Sequence, residues 1–183
     1  GTAAFSSVSA LGLKLKLFGQ ELSGDFVFQK DAAGLRVTVS NAALSLTDTP
    51  ANASPRGPPF FELTNGGGEF LFASTGGVVG GIGGDVSLDL PGVSLDGTFD
   101  VLVNTTTQTV TGPFTLNDPD GPGGNPARTV ASIAAGPYLR ISGDNATLVI
   151  LGQTLIGDFT FEQSTTNGET TTVLGVSGVE LTL

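Results

Sequence analysis

Apolar and polar residues alternate strictly along several stretches of this chain. Leu13, Leu15 and Leu17 alternate with Lys14 and Lys16, and Leu22, Gly24, Phe26 and Phe28 alternate with Ser23, Asp25 and Val27. Val86, Leu88 and Leu90 do the same against Asp85, Ser87 and Asp89, and Leu95, Gly97, Phe99 and Val101 against Ser94, Asp96, Thr98 and Asp100. A period of two is that of a strand with one buried and one wet face, and antiparallel pairing is the arrangement that leaves one face wet. Further strands are predicted at Leu35–Val39, Ala43–Leu46, Phe70–Ala73, Val110–Leu116, Tyr138–Ser142 and Thr171–Leu183, roughly a dozen in all. No window holds a helical period for long. The segments 48–59 (DTPANASPRGPP) and 117–128 (NDPDGPGGNPAR) are rich in Pro and Gly and read as exposed loops.

The strands come in copies. GQELSGDFVFQ at 19–29 returns as GQTLIGDFTFE at 152–162, a step of 133, and a looser copy, GVSLDGTFDVL, lies at 92–102, a step of 73 from the first. Register follows from the turns. With Pro91-Gly92 at the centre of a hairpin, Leu88 faces Leu95 and Val86 faces Gly97; the same rule pairs Leu15 with Leu22, Lys16 with Glu21 and Leu148 with Leu155. Proline suits the primed two-residue turns poorly, so a four-residue loop of the same register is expected at 91–92. The inward Gly24, Gly97 and Gly157 each precede a phenylalanine by two positions, which predicts a ring over bare backbone or a bend in the strand.

These features give an all-β fold of repeat-built antiparallel strands, either an elongated solenoid-like stack or a wrapped β-sandwich. A single repeat-built domain is expected over 1–183, in units of roughly 1–60, 61–133 and 134–183, the last restarting the first.

Composition removes most chemistry. There is no Cys, His, Met or Trp, so disulfides, thiolates and imidazole ligands are excluded together. A formal charge of −10 from 17 acidic and 7 basic residues argues against nucleic acid or an anionic membrane as partner. No stretch has the apolar length of a membrane span, so membrane insertion is not expected. The candidate metal ligands are Asn117, Asp118, Asp120 and Asn125, hard oxygen donors beside Gly121 of the kind calcium takes. Leu116 stands where an EF-hand loop would begin, and turn chemistry accounts for the same Asp and Asn residues. Asp85, Asp89, Asp96 and Asp100 are placed on the outer face of one hairpin, with acid opposite hydroxyl (Asp89 on Ser94, Asp96 on Ser87, Asp85 on Thr98), a solvated surface without the burial that a general acid needs.

The GQxLxGDFxF, PGVSLDGTF and LGVSGVELTL segments resemble tandem β-repeat modules of very large bacterial secreted or surface proteins. The resemblance implies an extracellular or cell-surface, non-enzymatic structural module, such as a stalk, adhesin segment or fibre subunit. It implies no cofactor and no catalytic residue. Its partners would be neighbouring copies of the same repeat, met through terminal strands. The alternative from the residues is a carbohydrate- or calcium-binding extracellular module using loops 48–59 and 117–128.

Overall fold

The computed structural model describes residues 6–17, 20–47, 57–117, 127–166 and 168–182. They form eleven strands: β1 (Ser6–Leu17), β2 (Gln20–Lys30), β3 (Gly34–Thr47), β4 (Pro59–Ala73), β5 (Val78–Leu90), β6 (Val93–Asn104), β7 (Val110–Asn117), β8 (Ala127–Ile133), β9 (Tyr138–Ile150), β10 (Gln153–Thr166) and β11 (Glu169–Thr182). Nine of them make one antiparallel sheet in the order β1-β2-β3-β4-β5-β6-β9-β10-β11, and β7 and β8 make a separate hairpin. The nine-stranded sheet is open. Among the described residues there is no helix, hence none long and apolar enough to cross a membrane.

Register agrees with the alternation. Leu15 pairs with Leu22, Lys16 with Glu21, Leu88 with Leu95, Val86 with Gly97 and Leu148 with Leu155. Moved by 133, the β1–β2 register becomes that of β9–β10, including its irregularity: Leu13↔Gly24 and Ala10↔Phe26 correspond to Ala146↔Gly157 and Gly143↔Phe159. The turn at Pro91-Gly92 differs from expectation. Pairing runs to Leu90↔Val93, so the loop has two residues, because proline at the first central position and Gly92 at φ 81° at the second are what a type II turn takes. At Leu151-Gly152 both residues have positive φ, 50° and 84°, as a type I′ hairpin turn requires.

Pairing also shortens both proline-rich breaks. Pro59 pairs with Thr47, and Asn117 and Leu116 pair with Ala127 and Arg128, so the ends of the predicted loops belong to strands. The β8 sequence, ARTVASI, does not alternate strictly and adjoins the Pro/Gly segment, so it escapes a reading by period. The glycine runs at 66–68 and 76–84 fall largely inside β4 and β5. There glycine permits close packing across the sheet: a Cβ on Gly81 would lie 2.5 Å from Leu102 Cδ2 and 3.2 Å from Leu116 Cδ2.

Leu116 reaches Gly81 because the β7–β8 hairpin lies over one end of the sheet's polar face. Phe114, Leu116 and Ile133 from the hairpin bury themselves against Leu71, Val79 and Leu102 from β4, β5 and β6. A second cluster, on the apolar face, joins Phe26, Val39 and Ala42 with Phe28, Val37, Phe70 and Ile82 around them. Asn104, fully buried, ties the hairpin's end to the loop after β6: its Nδ2 donates to the carbonyls of Gln108 (2.9 Å) and Ala134 (2.7 Å), and its Oδ1 accepts from Thr106 N (2.8 Å) and Oγ1 (2.7 Å). Every polar atom of that side chain has a partner, as burial demands.

Two substitutions test this account by denaturant unfolding. Leu116→Ala is expected to cost about 2–5 kcal/mol, because it empties a fully buried site between hairpin and sheet. Asn104→Ala is expected to cost on the order of 1–3 kcal/mol or more, since the two carbonyls and the Thr106 N–H lose their partner. Full stability in either variant would contradict the hairpin's place in the core.

Candidate functional site

A band of backbone irregularities crosses this sheet and gathers polar side-chain contacts along it. One residue per strand in β1, β3, β4, β9 and β11 has a left-handed backbone: Gly12 (φ 59°), Asn41 (51°), Asn65 (52°), Asn145 (49°) and Gly178 (61°). Glycine and asparagine are the residue types that tolerate this region. The remaining strands β2, β5, β6 and β10 carry at the same level a glycine followed by Asp or Thr: Gly24-Asp25, Gly84-Asp85, Gly97-Thr98 and Gly157-Asp158. The register shifts at Ser23/Asp25, Asp96/Thr98, Ile156/Asp158 and Thr64/Gly67 mark where the two types meet. β5 and β6, both of the glycine type, pair without a shift.

The aspartate in each pair fastens a left-handed residue of a neighbouring strand. Asp25 accepts a hydrogen bond from the Gly12 N–H through Oδ1 (2.7 Å) and from Asn41 Nδ2 through Oδ2 (2.7 Å), so it holds β1 and β3 to β2. Asp158 accepts from the Asn145 N–H (2.9 Å) and from Ser177 Oγ (3.2 Å), holding β9 and β11 to β10. Asp85 accepts from Asn65 Nδ2 (2.8 Å) and Thr98 Oγ1 (3.1 Å). Thr98, which departs from the Asp of the GDF copies, thus serves as donor to the aspartate beside it. The hydrogen bonds from Asn41 and then from Gly12 hold the Asp25 carboxyl below the ordinary aspartate value of 3.8.

The glycines make room for the bulges. A Cβ on Gly24 would lie 3.2 Å from Ser40 O and 3.3 Å from Ala42 Cα, and on Gly157 3.0 Å from Ser177 O and 3.1 Å from Val179 Cα. On Gly97 it would lie 2.9 Å from Ala146 Cα. Phe26 and Phe99 lean back over Gly24 and Gly97 at 3.4 and 3.3 Å, as the sequence led us to expect; the Phe99 ring also covers Gly143 on β9. The spacing SNAAL at 40–44 and DNATL at 144–148 is the signal of this band that the reading of GDF copies alone passed over.

The four outer-face aspartates do not share one environment. Asp89 and Asp96 are exposed, Asp85 is half-buried, and Asp100 is only 7% exposed, a correction to its expected solvation. The cause is the β7–β8 hairpin, which packs on Leu102, ties its end to Asn104 and brings Arg128 into an ion pair with Asp100 on that face of β6. Arg128 Nη1 also stands 4.0 Å from Asp144 Oδ2. On the hairpin's other flank the buried Glu69 pairs with Arg36 and accepts from the Thr115 N–H at 3.3 Å. These carboxylates hold the hairpin and the sheet together.

Of the candidate calcium ligands, Asn117 is the last residue of β7, while Asp118, Asp120 and Asn125 lie outside the described residues, as does most of 48–59. Among the described residues no three Asp, Glu, His or Cys side chains converge as metal ligands. An open depression of about 320 Å³ on the polar face is lined by Glu62, Thr64, Asp85, Ser87, Asp96 and Thr98.

The lowered pKa of Asp25 fixes the sign of a pH effect. The stability it contributes is fully present above the unfolded value near 3.8 and is lost as pH falls through the lower folded value. Asp25→Asn should therefore be less stable than the parent at neutral pH, and the gap should close in acid below that value; a gap independent of pH would show that the charge does not matter. No protein family, curated protein or solved structure matches the chain.

Proposed function

We propose that this chain is a non-enzymatic structural repeat module of an extracellular or cell-surface protein, in which strands are added side by side to extend one sheet. The observation that carries the reading is the joint between β6 and β9. β6 is followed in sequence by the hairpin, not by a third sheet strand, yet β9 docks on it in the register that β3 adopts on β2. Leu22↔Leu44, Asp25↔Ser40 and Phe26↔Val39 correspond to Leu95↔Leu148, Thr98↔Asp144 and Phe99↔Gly143. The left-handed Asn41 and Asn145 and the buried Ala42 and Ala146 occupy equivalent places. A new unit therefore joins the sheet by the contacts used inside a unit, as in repeat arrays whose stability comes from neighbours.

Units of roughly 1–60, 61–133 and 134–183 then share one continuous ladder, and the module's task is mechanical: spacing, load transfer and presentation, as a stalk, adhesin segment or fibre subunit. The acidic surface favours solubility of such an array and disfavours nucleic acid as partner. Arg36 and Arg128 are engaged in internal ion pairs, which further weakens any cationic binding face.

Extending the chain beyond residue 183 with a second copy of residues 57–133 is expected to raise the melting temperature above that of the chain alone, because each junction adds stabilising contact. Identical melting would sink the module reading. Calcium and a chelator are expected to leave the melting temperature unchanged, in the parent and in Asp118→Asn/Asp120→Asn alike. A calcium-dependent rise that the double variant abolishes would favour the loop-based binding module instead.

A further inference from the structure

Resting on that reading, we propose that the outer edge of β11 is a docking edge for an antiparallel strand of the β4 pattern, supplied by another repeat unit. β11 is the counterpart of β3 at a step of 137. Leu22↔Leu44 and Phe26↔Val39 correspond to Leu155↔Leu181 and Phe159↔Val176, with the shift at the same place. The left-handed Asn41 becomes Gly178. The outer partner of β3 is β4, through Val37↔Phe70, Val39↔Gly68, Ala42↔Gly66 and Leu44↔Leu63.

The corresponding β11 side chains are uncovered. Leu174, Val176, Val179 and Leu181 are 71%, 51%, 47% and 56% exposed, whereas Val39 and Ala42 are 6% and 0% exposed beneath β4. Four large apolar side chains in a row on a sheet edge form a ready template for pairing. Val179 also selects the occupant. Ala42 lies between Gly24 and Gly66, and a Cβ on Gly66 would fall 2.8 Å from the Ala42 Cβ. Val179 has Gly157 on its inner side, its Cγ2 only 3.1 Å from where a Cβ there would stand, so its outer partner must offer glycine too.

β4 offers it in Asn65-Gly66-Gly67-Gly68, with Leu63 and Phe70 spaced to meet Leu181 and Leu174. Another β11 would instead set valine against valine at this point. The β1 of a copy placed by simple translation would run parallel, since the first and ninth strands of the sheet point the same way. Val173 replaces Arg36, so the ion pair with Glu69 is not reproduced and the joint is held by backbone bonds and apolar contact, which makes it insensitive to salt.

Because the chain has no cysteine, the joint can be tested by disulfide capture. Thr38 pairs with Glu69 in β3–β4, and its counterpart Gly175 accepts a Cβ with nothing nearer than 3.7 Å. A peptide of residues 57–75 carrying Glu69→Cys is expected to cross-link to the Gly175→Cys chain at least about tenfold faster than to a chain with Ser7→Cys on the opposite edge, because docking raises the local thiol concentration. Gly66→Val in the peptide should abolish the preference. With the unaltered chain, the unaltered peptide should slow hydrogen exchange of β11 amides, which keeps the test independent of how the cysteine variant folds. Equal capture at both edges, capture by the valine peptide, or unchanged β11 exchange would each overturn the assignment. If the extended chain still melts higher, only this edge assignment falls and the module reading stands; if both fail, the module reading falls as well.

Discussion

A glycine set beside the residue that follows each left-handed position is the contact on which this sheet depends. Nine strands of 11 to 15 residues could pair without interruption, and a flat ladder of that width would twist steadily along its length. Here each bulged strand sets the residue after its left-handed position against a glycine of a neighbouring strand, which has no Cβ at that place. Ala42, between Gly24 and Gly66, and Ala146, between Gly97 and Gly157, are both fully buried. A side chain on any of these glycines would separate backbones that must remain in hydrogen-bonding range, which is why glycine recurs inside strands where its conformational entropy is a cost.

The aspartates answer the polar half of the same constraint. A bulge turns backbone N–H groups away from the ladder, and groups left without a partner are costly. Asp25 and Asp158 collect the N–H of Gly12 and of Asn145, and each also takes a side-chain donor from the strand on its other side. One carboxylate therefore crosses three strands. The GDF element is a compact device of this kind: glycine admits the bulge and aspartate satisfies it, and at Gly24 the ring of Phe26 lies back over the glycine.

Much of this was legible in the sequence because a period of two and a two-residue turn leave little freedom. Once Leu88 is opposite Leu95, every other pair of that hairpin follows, and the structure has all of them. The bulge band was not legible in the same way. It depends on which residue of one strand meets which residue of another across a register shift, and alternation within a strand says nothing of that. The environment of Asp100 was hidden for a related reason: its own hairpin gives it a wet face, and only the distant β7–β8 hairpin, brought over by Phe114 and Leu116, covers it. The place of the glycine runs inside strands was not legible either, since composition is a local signal, whereas the need for glycine at Gly66 or Gly81 is set by Ala42 and Leu116 on other elements.

The size of the residue after each left-handed position also separates edge from interior. Where glycines press from both sides the residue is alanine, as at Ala42 and Ala146; at the two edges, with glycine on one side, it is Leu13 and Val179. Leu13 and Val179 use the freedom of an edge to cover apolar surface that alanine would leave bare. The same enlargement narrows what can lie beyond them. An incoming strand with any Cβ at that height meets a branched side chain head on, while one with glycine keeps the ladder spacing. Because the hydrogen bonds of a free edge accept almost any strand, steric selection at one residue supplies the discrimination that backbone pairing lacks.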